Sequence, residues 1–291
     1  MQRARSRRRI TVGRHTGEAD APTRRGFVTL ASGARLAYTL LGTAGSTVPI
    51  LLNRPLGGSM AIWGDFAARL ATGGRVIAFD PRGVGLSSDV PLRYSTREMA
   101  SDAVALLDGL GVDRAHVFGL SLGGMVAQWI AIDAPRRVDR LILASTLPRA
   151  LAASPRALLR GAALLRCFAR SGAEADVCLA MHILSSRFRA ANPNAVRDVA
   201  RRIRAVPNRR RNLVALAVAA ARHSAEPALK DVSAQTLLLF GGLDPIAGRA
   251  SEAELLDDLP RSTLEILPDV GHDLSLEAPI LAADRILRFL R

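Results

Sequence analysis

The chain has 291 residues, 40 basic and 26 acidic side chains, a formal net charge of +14, and is 49% hydrophobic but 4% aromatic. That apolar content excludes a disordered chain, and a chain of this length buries about 75% of its extended surface, which suits one large domain or a domain with an insertion. The longest uninterrupted apolar run, Leu213 to Ala221, is far short of the roughly 20 residues a membrane span needs, and two cysteines, Cys167 and Cys178, are too few for a disulfide framework. The cysteine usage points to a reducing, cytoplasmic setting with both residues as buried apolar side chains.

Residues 1–25 hold 8 Arg against Glu18 and Asp20, a net of +6, without apolar periodicity, and predict a disordered basic tail. Ser6-Arg7-Arg8-Arg9-Ile10 is similar to a twin-arginine export signal, yet Arg14, His15, Glu18 and Asp20 stand where an apolar stretch is required. From Gly26 the pattern changes. Gly26 to Leu30 and Arg35 to Leu40 predict two strands around Ser32-Gly33, Pro49 to Leu52 a buried strand, Met60 to Leu70 a helix and Arg75 to Phe79 another strand. Ser95-Thr96-Arg97-Glu98 is a capping box, opening a helix that Gly111 closes. His116 to Phe118 (strand), Leu122 to Ala134 (helix) and Leu141 to Ala144 (strand) follow. Thr236 to Phe240 and Thr263 to Leu267 are later strands, and a final helix has Pro279 near its start. Short apolar strands alternating with amphipathic helices predict an α/β fold, a mostly parallel sheet with helices on both faces.

Residues 147–228 break the alternation. They are rich in Ala, Leu and Arg, and predict a helical insertion between 26–146 and 229–291, the two parts of the core. Residues 146–226 carry 15 Arg against Glu174, Asp176, Asp198 and Glu226, a net of +11; outside this region and the tail, 17 basic and 20 acidic residues sum to −3.

Gly119-Leu120-Ser121-Leu122-Gly123-Gly124 stands between a strand and a helix, the context of the G-x-S-x-G elbow. A strand that turns at once into a helix strains the turn residue, so the positions two before and two after need glycine, and Ser121 is lifted above the sheet. The N–H of Leu122, at the helix start, suits an oxyanion. A serine nucleophile needs a base, and the base an orienting acid. Asp244 follows the strand Thr236 to Phe240, and His272 follows Thr263 to Leu267, so the chain order Ser121, Asp244, His272 fits this elbow. Asp269 and Asp273 compete with Asp244 but lie in the histidine loop itself. His116 reads as core, His182 and His223 fall in the insertion and His15 in the tail.

On these residues the chain resembles the α/β-hydrolase superfamily over about 26–291, specifically its esterase, 3-oxoadipate enol-lactonase and haloperoxidase-like members. Asp80-Pro81-Arg82-Gly83-Val84-Gly85-Leu86-Ser87 is similar to a structural turn of that family, and Asp273 to Leu290 also looks family-like. The resemblance implies that 147–228 caps the active site, and implies no metal and no organic cofactor. Most relatives carry His-Gly after the third strand. Here Arg54-Pro55 stands in its place, with Leu56 as the second oxyanion donor, and Asn53 to Gly57 resembles the Asn-Ser-Leu-Gly run of enol-lactonase-like members with one residue inserted. Arg54 is a candidate ligand for a substrate carboxylate or the oxyanion.

The expected activity is hydrolysis of a carboxylic ester or lactone, including an anionic one, through an acyl-enzyme on Ser121. One alternative is a thioesterase or acyl-carrier-protein ester hydrolase using Arg201, Arg202, Arg204, Arg209, Arg210, Arg211, Arg156, Arg160, Arg166 and Arg170 of the insertion. Another is a non-catalytic ligand-binding protein on the same scaffold. Nucleic acid is a poor partner, because stacking aromatics are scarce in the basic region. Cys167 and Cys178 are assigned no chemistry.

Overall fold

Seven of the eight described strands run in one direction, and the second runs against them. In a computed structural model describing residues 23–43, 47–91, 93–150, 166, 167, 170, 172–205 and 209–291, Arg24–Thr29 (β1) and Arg35–Leu41 (β2) form an antiparallel hairpin. Arg24 faces Leu40 and Arg25 faces Thr39, so ordered pairing begins two residues before the expected boundary at 26. Residues 1–22 of the expected tail lie outside the described residues. Ile50–Asn53 (β3), Val76–Phe79 (β4), Ala115–Leu120 (β5), Val138–Ala144 (β6), Gln235–Gly241 (β7) and Ser262–Leu267 (β8) complete an eight-stranded sheet of order β1-β2-β4-β3-β5-β6-β7-β8. β2 runs antiparallel to β4, and β3 to β8 are mutually parallel.

Alternate side chains of the central strands enter two cores, as the period of two requires. Leu51, Ile77, Val117, Leu141 and Leu238 pack on one face against Thr96–Leu110 (α2, after Gly64–Leu70, α1) and Leu122–Asp133 (α3). Leu52, Ala78, Phe118, Ile142 and Leu237 pack on the other against α1 and the last helix, Pro279–Phe289. The capping box forms as expected: the Ser95 hydroxyl accepts the Glu98 N–H at 3.2 Å and the Glu98 carboxylate accepts the Ser95 N–H at 2.8 Å. The helix expected over Met60 to Leu70 starts as a tight 3-10 turn, Met60–Trp63, whose first turn Ser59 caps through the Ala61 N–H, before α1 begins at Gly64.

Between β6 and β7 the described residues include the helices Ala173–Ile183 (α4), Ser186–Ala191 (α5), Ala195–Arg204 (α6) and Arg210–Ala221 (α7). Arg156 and Arg160 lie outside the described residues. Arg249–Asp258 (α8) escapes the sequence reading because only Glu252 and Leu255 of it are buried, too few to give an apolar period. Leu274–Glu277 (α9) and Pro279–Phe289 (α10) end the chain.

The cysteines correct the composition argument. Cys167 is buried as expected, but it is joined to Cys178 by a disulfide. Two cysteines suffice for one bridge wherever the fold brings their Cα atoms within reach, here 5.3 Å. The cysteine count therefore lends no support to a reducing compartment.

His223, just beyond α7, ties the end of the insertion to the core. Its Nδ1 lies 2.9 Å from the Thr96 hydroxyl and its Nε2 3.2 Å from Gln128 Oε1. A ring between a hydroxyl and an amide carbonyl, with no carboxylate near, is held neutral, and burial pushes its pKa down to about 4. The unfolded chain then binds the proton better. The contribution is whole above about pH 6.5 and is lost as the pH falls toward 4, worth about 3 kcal/mol. Urea midpoints of wild type and His223→Gln at pH 7 and pH 4.5 check this: wild type should lose more stability between the two, and equal losses would clear His223 of the role.

Candidate active site

The parallel strands end along one edge of the sheet, and the polar residues named from sequence gather there. β5 ends at Leu120, and Ser121 turns the chain into α3 at φ 55° and ψ −118°, a conformation costing a side-chain-bearing residue roughly 1–3 kcal/mol. Neighbours hold it there. The Ser121 N–H donates to the Ala144 carbonyl at 2.9 Å, and the Ser121 carbonyl accepts the Thr146 hydroxyl at 2.7 Å. The flanking glycines are required by contact: a Cβ on Gly119 would meet the Gly123 carbonyl oxygen at 2.2 Å, and one on Gly123 the Asn53 carbonyl oxygen at 2.0 Å.

The Ser121 hydroxyl lies 3.0 Å from His272 Nε2. On the other side of the ring, Nδ1 is 3.0 and 2.9 Å from the two carboxylate oxygens of Asp244. A ring nitrogen facing a carboxylate carries the hydrogen, so Nδ1–H donates to Asp244 and Nε2 is left with its lone pair toward Ser121. Asp244 Oδ1 also accepts the N–H groups of Ile246 and Ala247, at 2.7 and 3.0 Å, which fix the carboxylate. Burial alone lowers the pKa of His272, but the charge and hydrogen bond of Asp244, with the charges of Asp273 and Glu277, outweigh it and raise the pKa above the usual value. The competing acids are otherwise engaged. Asp269 pairs with Arg187 at 2.8 Å on the surface, and buried Asp273 accepts the Ser275 hydroxyl at 2.6 Å.

A cavity of about 100 Å³ opens above Ser121. Leu56 and Leu122 both line it, as do Leu179 and Ile183 of α4, Ile203 of α6 and Ala220 of α7. The first N–H groups of a helix have no partner within it, so the Leu122 amide at the start of α3 is available for an oxyanion. These wall residues from the insertion are what the sequence reading missed: an isoleucine among arginines has no signal of its own.

Arg54 differs from the expectation. It is 4% exposed and does not line the described cavity; its Nε and Nη2 are buried without a hydrogen-bond partner. Burial lowers its pKa to about 10 against the opposing charges of Asp80 and Asp273, so it is still a cation at neutral pH. Its charge faces two buried acids, Asp80 and Asp273. Of the other histidines, His116 is buried beside Asp139 at 3.1 Å, and His182 Nδ1 lies 2.8 Å from the Cys178 carbonyl oxygen. His15 lies outside the described residues. Cys167, Cys178 and His182 are the one group of metal-ligand atoms close enough for an ion among the described residues, and the disulfide occupies both sulfurs.

Residues 48–279 match the family model for the alpha/beta hydrolase fold. The chain belongs to the α/β-hydrolase family. Among its relatives, a putative carbamate hydrolase RutD of Variovorax paradoxus is 31% identical over 258 residues, 88% of this chain and 96% of that one. The 3-oxoadipate enol-lactonase 2 of Acinetobacter baylyi is 28% identical, over 84% of this chain and 88% of its own. Among solved structures, a hydrolase from Pseudomonas aeruginosa superimposes with a TM-score of 0.79 at 28% identity, covering 91% of this chain and 98% of that one. This family membership and these names support hydrolysis as the chain's activity. No described helix is long and apolar enough to cross a membrane.

Proposed function

We propose that this α/β hydrolase is a serine hydrolase that cleaves a carboxylic ester or lactone through an acyl-enzyme. The observation that carries the reading is the unbroken line of hydrogen bonds from Ser121 Oγ through His272 to Asp244 at the floor of the cavity. In this reading His272 Nε2 takes the hydroxyl proton as Ser121 Oγ attacks the carbonyl carbon. Asp244 keeps Nδ1 protonated and steadies the imidazolium, and the N–H groups of Leu122 and Leu56 receive the oxyanion. His272 then gives its proton to the leaving alcohol. Water, deprotonated by the same nitrogen, releases the acid.

The cavity favours a neutral, aliphatic acyl group. Beyond the triad, the described wall is Pro55, Gly58 and aliphatic side chains, and its one further polar group is the Asp273 carboxyl, so the wall offers an anion no positively charged side chain besides the triad histidine. Four of the arginines expected to attract one are paired with carboxylates, and none of the ten lines the described cavity. Arg201 pairs with Asp198, Arg204 with Asp176, and Arg209 and Arg211 with Asp89. From α6 it is Ile203 that faces the cavity. Helix periodicity puts it inside and its charged neighbours outside.

A fluorophosphonate probe with peptide mapping, run beside turnover of p-nitrophenyl butyrate and its hemisuccinate analogue, tests the reading. The expected result is label on Ser121 and preference for the neutral ester. Label on another residue, or none together with no turnover, would overturn the serine hydrolase. Preference for the hemisuccinate would overturn only the acyl class.

A further inference from the structure

His272 is held from outside its triad. The residue before it, Gly271, donates its N–H to Glu277 Oε2 at 2.9 Å. The same carboxylate reaches across to the insertion: Oε2 accepts the Ser185 hydroxyl at 2.8 Å, and Oε1 accepts the Ser185 N–H at 2.5 Å. Ser185 lies between α4 and α5, and its hydroxyl also accepts the Phe188 N–H at 3.1 Å, capping α5. On the other side of the histidine, the Asp273 N–H donates to the Ile183 carbonyl at 3.2 Å. Ile183 lines the cavity and ends α4. Both flanks of His272 are therefore bonded to the α4–α5 junction, and 92 residues separate Ser185 from Glu277.

We propose that Glu277 is a positioning residue for the catalytic histidine, a shared carboxylate through which the seating of the cap over the cavity sets the placement of His272. The proposal rests on His272 being the general base. A merely structural link needs one donor on each side. Here one half-buried carboxylate satisfies three donors from two segments, and its negative charge lies beside the ring that becomes cationic in the reaction. The charged groups facing His272 are Asp244 from the loop after β7, Asp273 and Glu277 from its own loop and helix, with Arg54 behind Asp273; the Arg187–Asp269 pair crosses the same seam at the surface. Because Glu277 reaches the active site through a backbone and a charge rather than through substrate, its loss should act on kcat and on the pH profile rather than on KM.

Glu277→Gln keeps the shape and removes the charge. The expected result is a kcat about 10-fold lower with KM little changed, and a kcat/KM midpoint about half a unit more acid, because a favourable charge on imidazolium has gone. Ser185→Ala, which leaves the amide link, should lower kcat by less and add nothing in the Glu277→Gln background, the mark of two residues in one link. A Glu277→Gln enzyme with the kcat and pH midpoint of wild type, whatever its Tm, overturns the proposal. If Glu277→Gln does not fold, Ser185→Ala decides: a lower kcat at unchanged KM upholds the link, and an unchanged kcat overturns it. Turnover surviving in Ser121→Ala would instead overturn the mechanism beneath it, so the two failures are distinguishable.

Discussion

Replacing Ser121 by Ala should lower kcat on an activated short-chain ester by about 10⁴-fold or more, with the fold intact. The hydroxyl oxygen is the atom 3.0 Å from His272 Nε2, and no other hydroxyl is bonded to that nitrogen among the described residues. His272→Ala should cost about as much, because a serine without its base is as idle as a base without its serine. Ser121→Ala/His272→Ala should be no worse than either alone, since residues acting as a unit are grossly non-additive. Matched initial-rate and circular-dichroism measurements on the three variants check this. A Ser121→Ala enzyme that retains wild-type turnover removes the nucleophile from the mechanism, and additive losses would mean the two side chains act independently.

Asp244→Asn should lower kcat by about 10⁴-fold while leaving the position of His272 nearly unchanged. The amide keeps the shape of the carboxylate, but its NH₂ group favours the wrong ring tautomer and its neutral oxygen no longer steadies an imidazolium. The pH profile should move as well. In wild type, burial lowers the pKa of His272 and Asp244, with the charges of Asp273 and Glu277, more than restores it, so kcat/KM, which needs the neutral ring, rises with pH through a midpoint above the usual imidazole value. With Asp244 neutralised, the largest opposing influence on burial is gone, and the imidazole midpoint, read by NMR, should move toward acid. The same raised pKa makes the His272–Asp244 pair a stabilising contribution that is whole below about pH 6.5 and is lost as the pH rises through the folded-state value. Asp244→Asn should flatten that part of the stability profile. An unmoved imidazole midpoint would show that Asp244 does not govern the ring.

The two variants probe what was most legible in the chain. Ser121 was readable because its signal is local: a strand, two glycines at fixed distances and a helix oblige the backbone to turn there, and the Cβ clashes at Gly119 and Gly123 are the contacts behind that spacing. Asp244 and His272 were readable because parallel strands deliver their C-terminal loops to one edge, so position in chain order stands in for distance. Arg54 was visible as a departure from Asn53 to Gly57, but its surroundings were not. Asp80 and Asp273 come to it from 26 and 219 residues away in the chain, and no local pattern announces two acids beside a buried cation.

By itself, then, the sequence determined the strand–helix alternation, the turn at Ser121, the chain order of Ser121, Asp244 and His272, and the helices among the described residues of the insertion, because each rests on period, turn chemistry or chain order within one or two elements. Tertiary structure decided the rest: which face of each insertion helix meets the cavity, that Cys167 and Cys178 lie close enough to bond, and that Glu277 joins the loop of His272 to Ser185. These depend on where segments dozens of residues apart come to rest. Burial and pairing over such distances follow from the packing of the whole chain, which no local pattern of residues records.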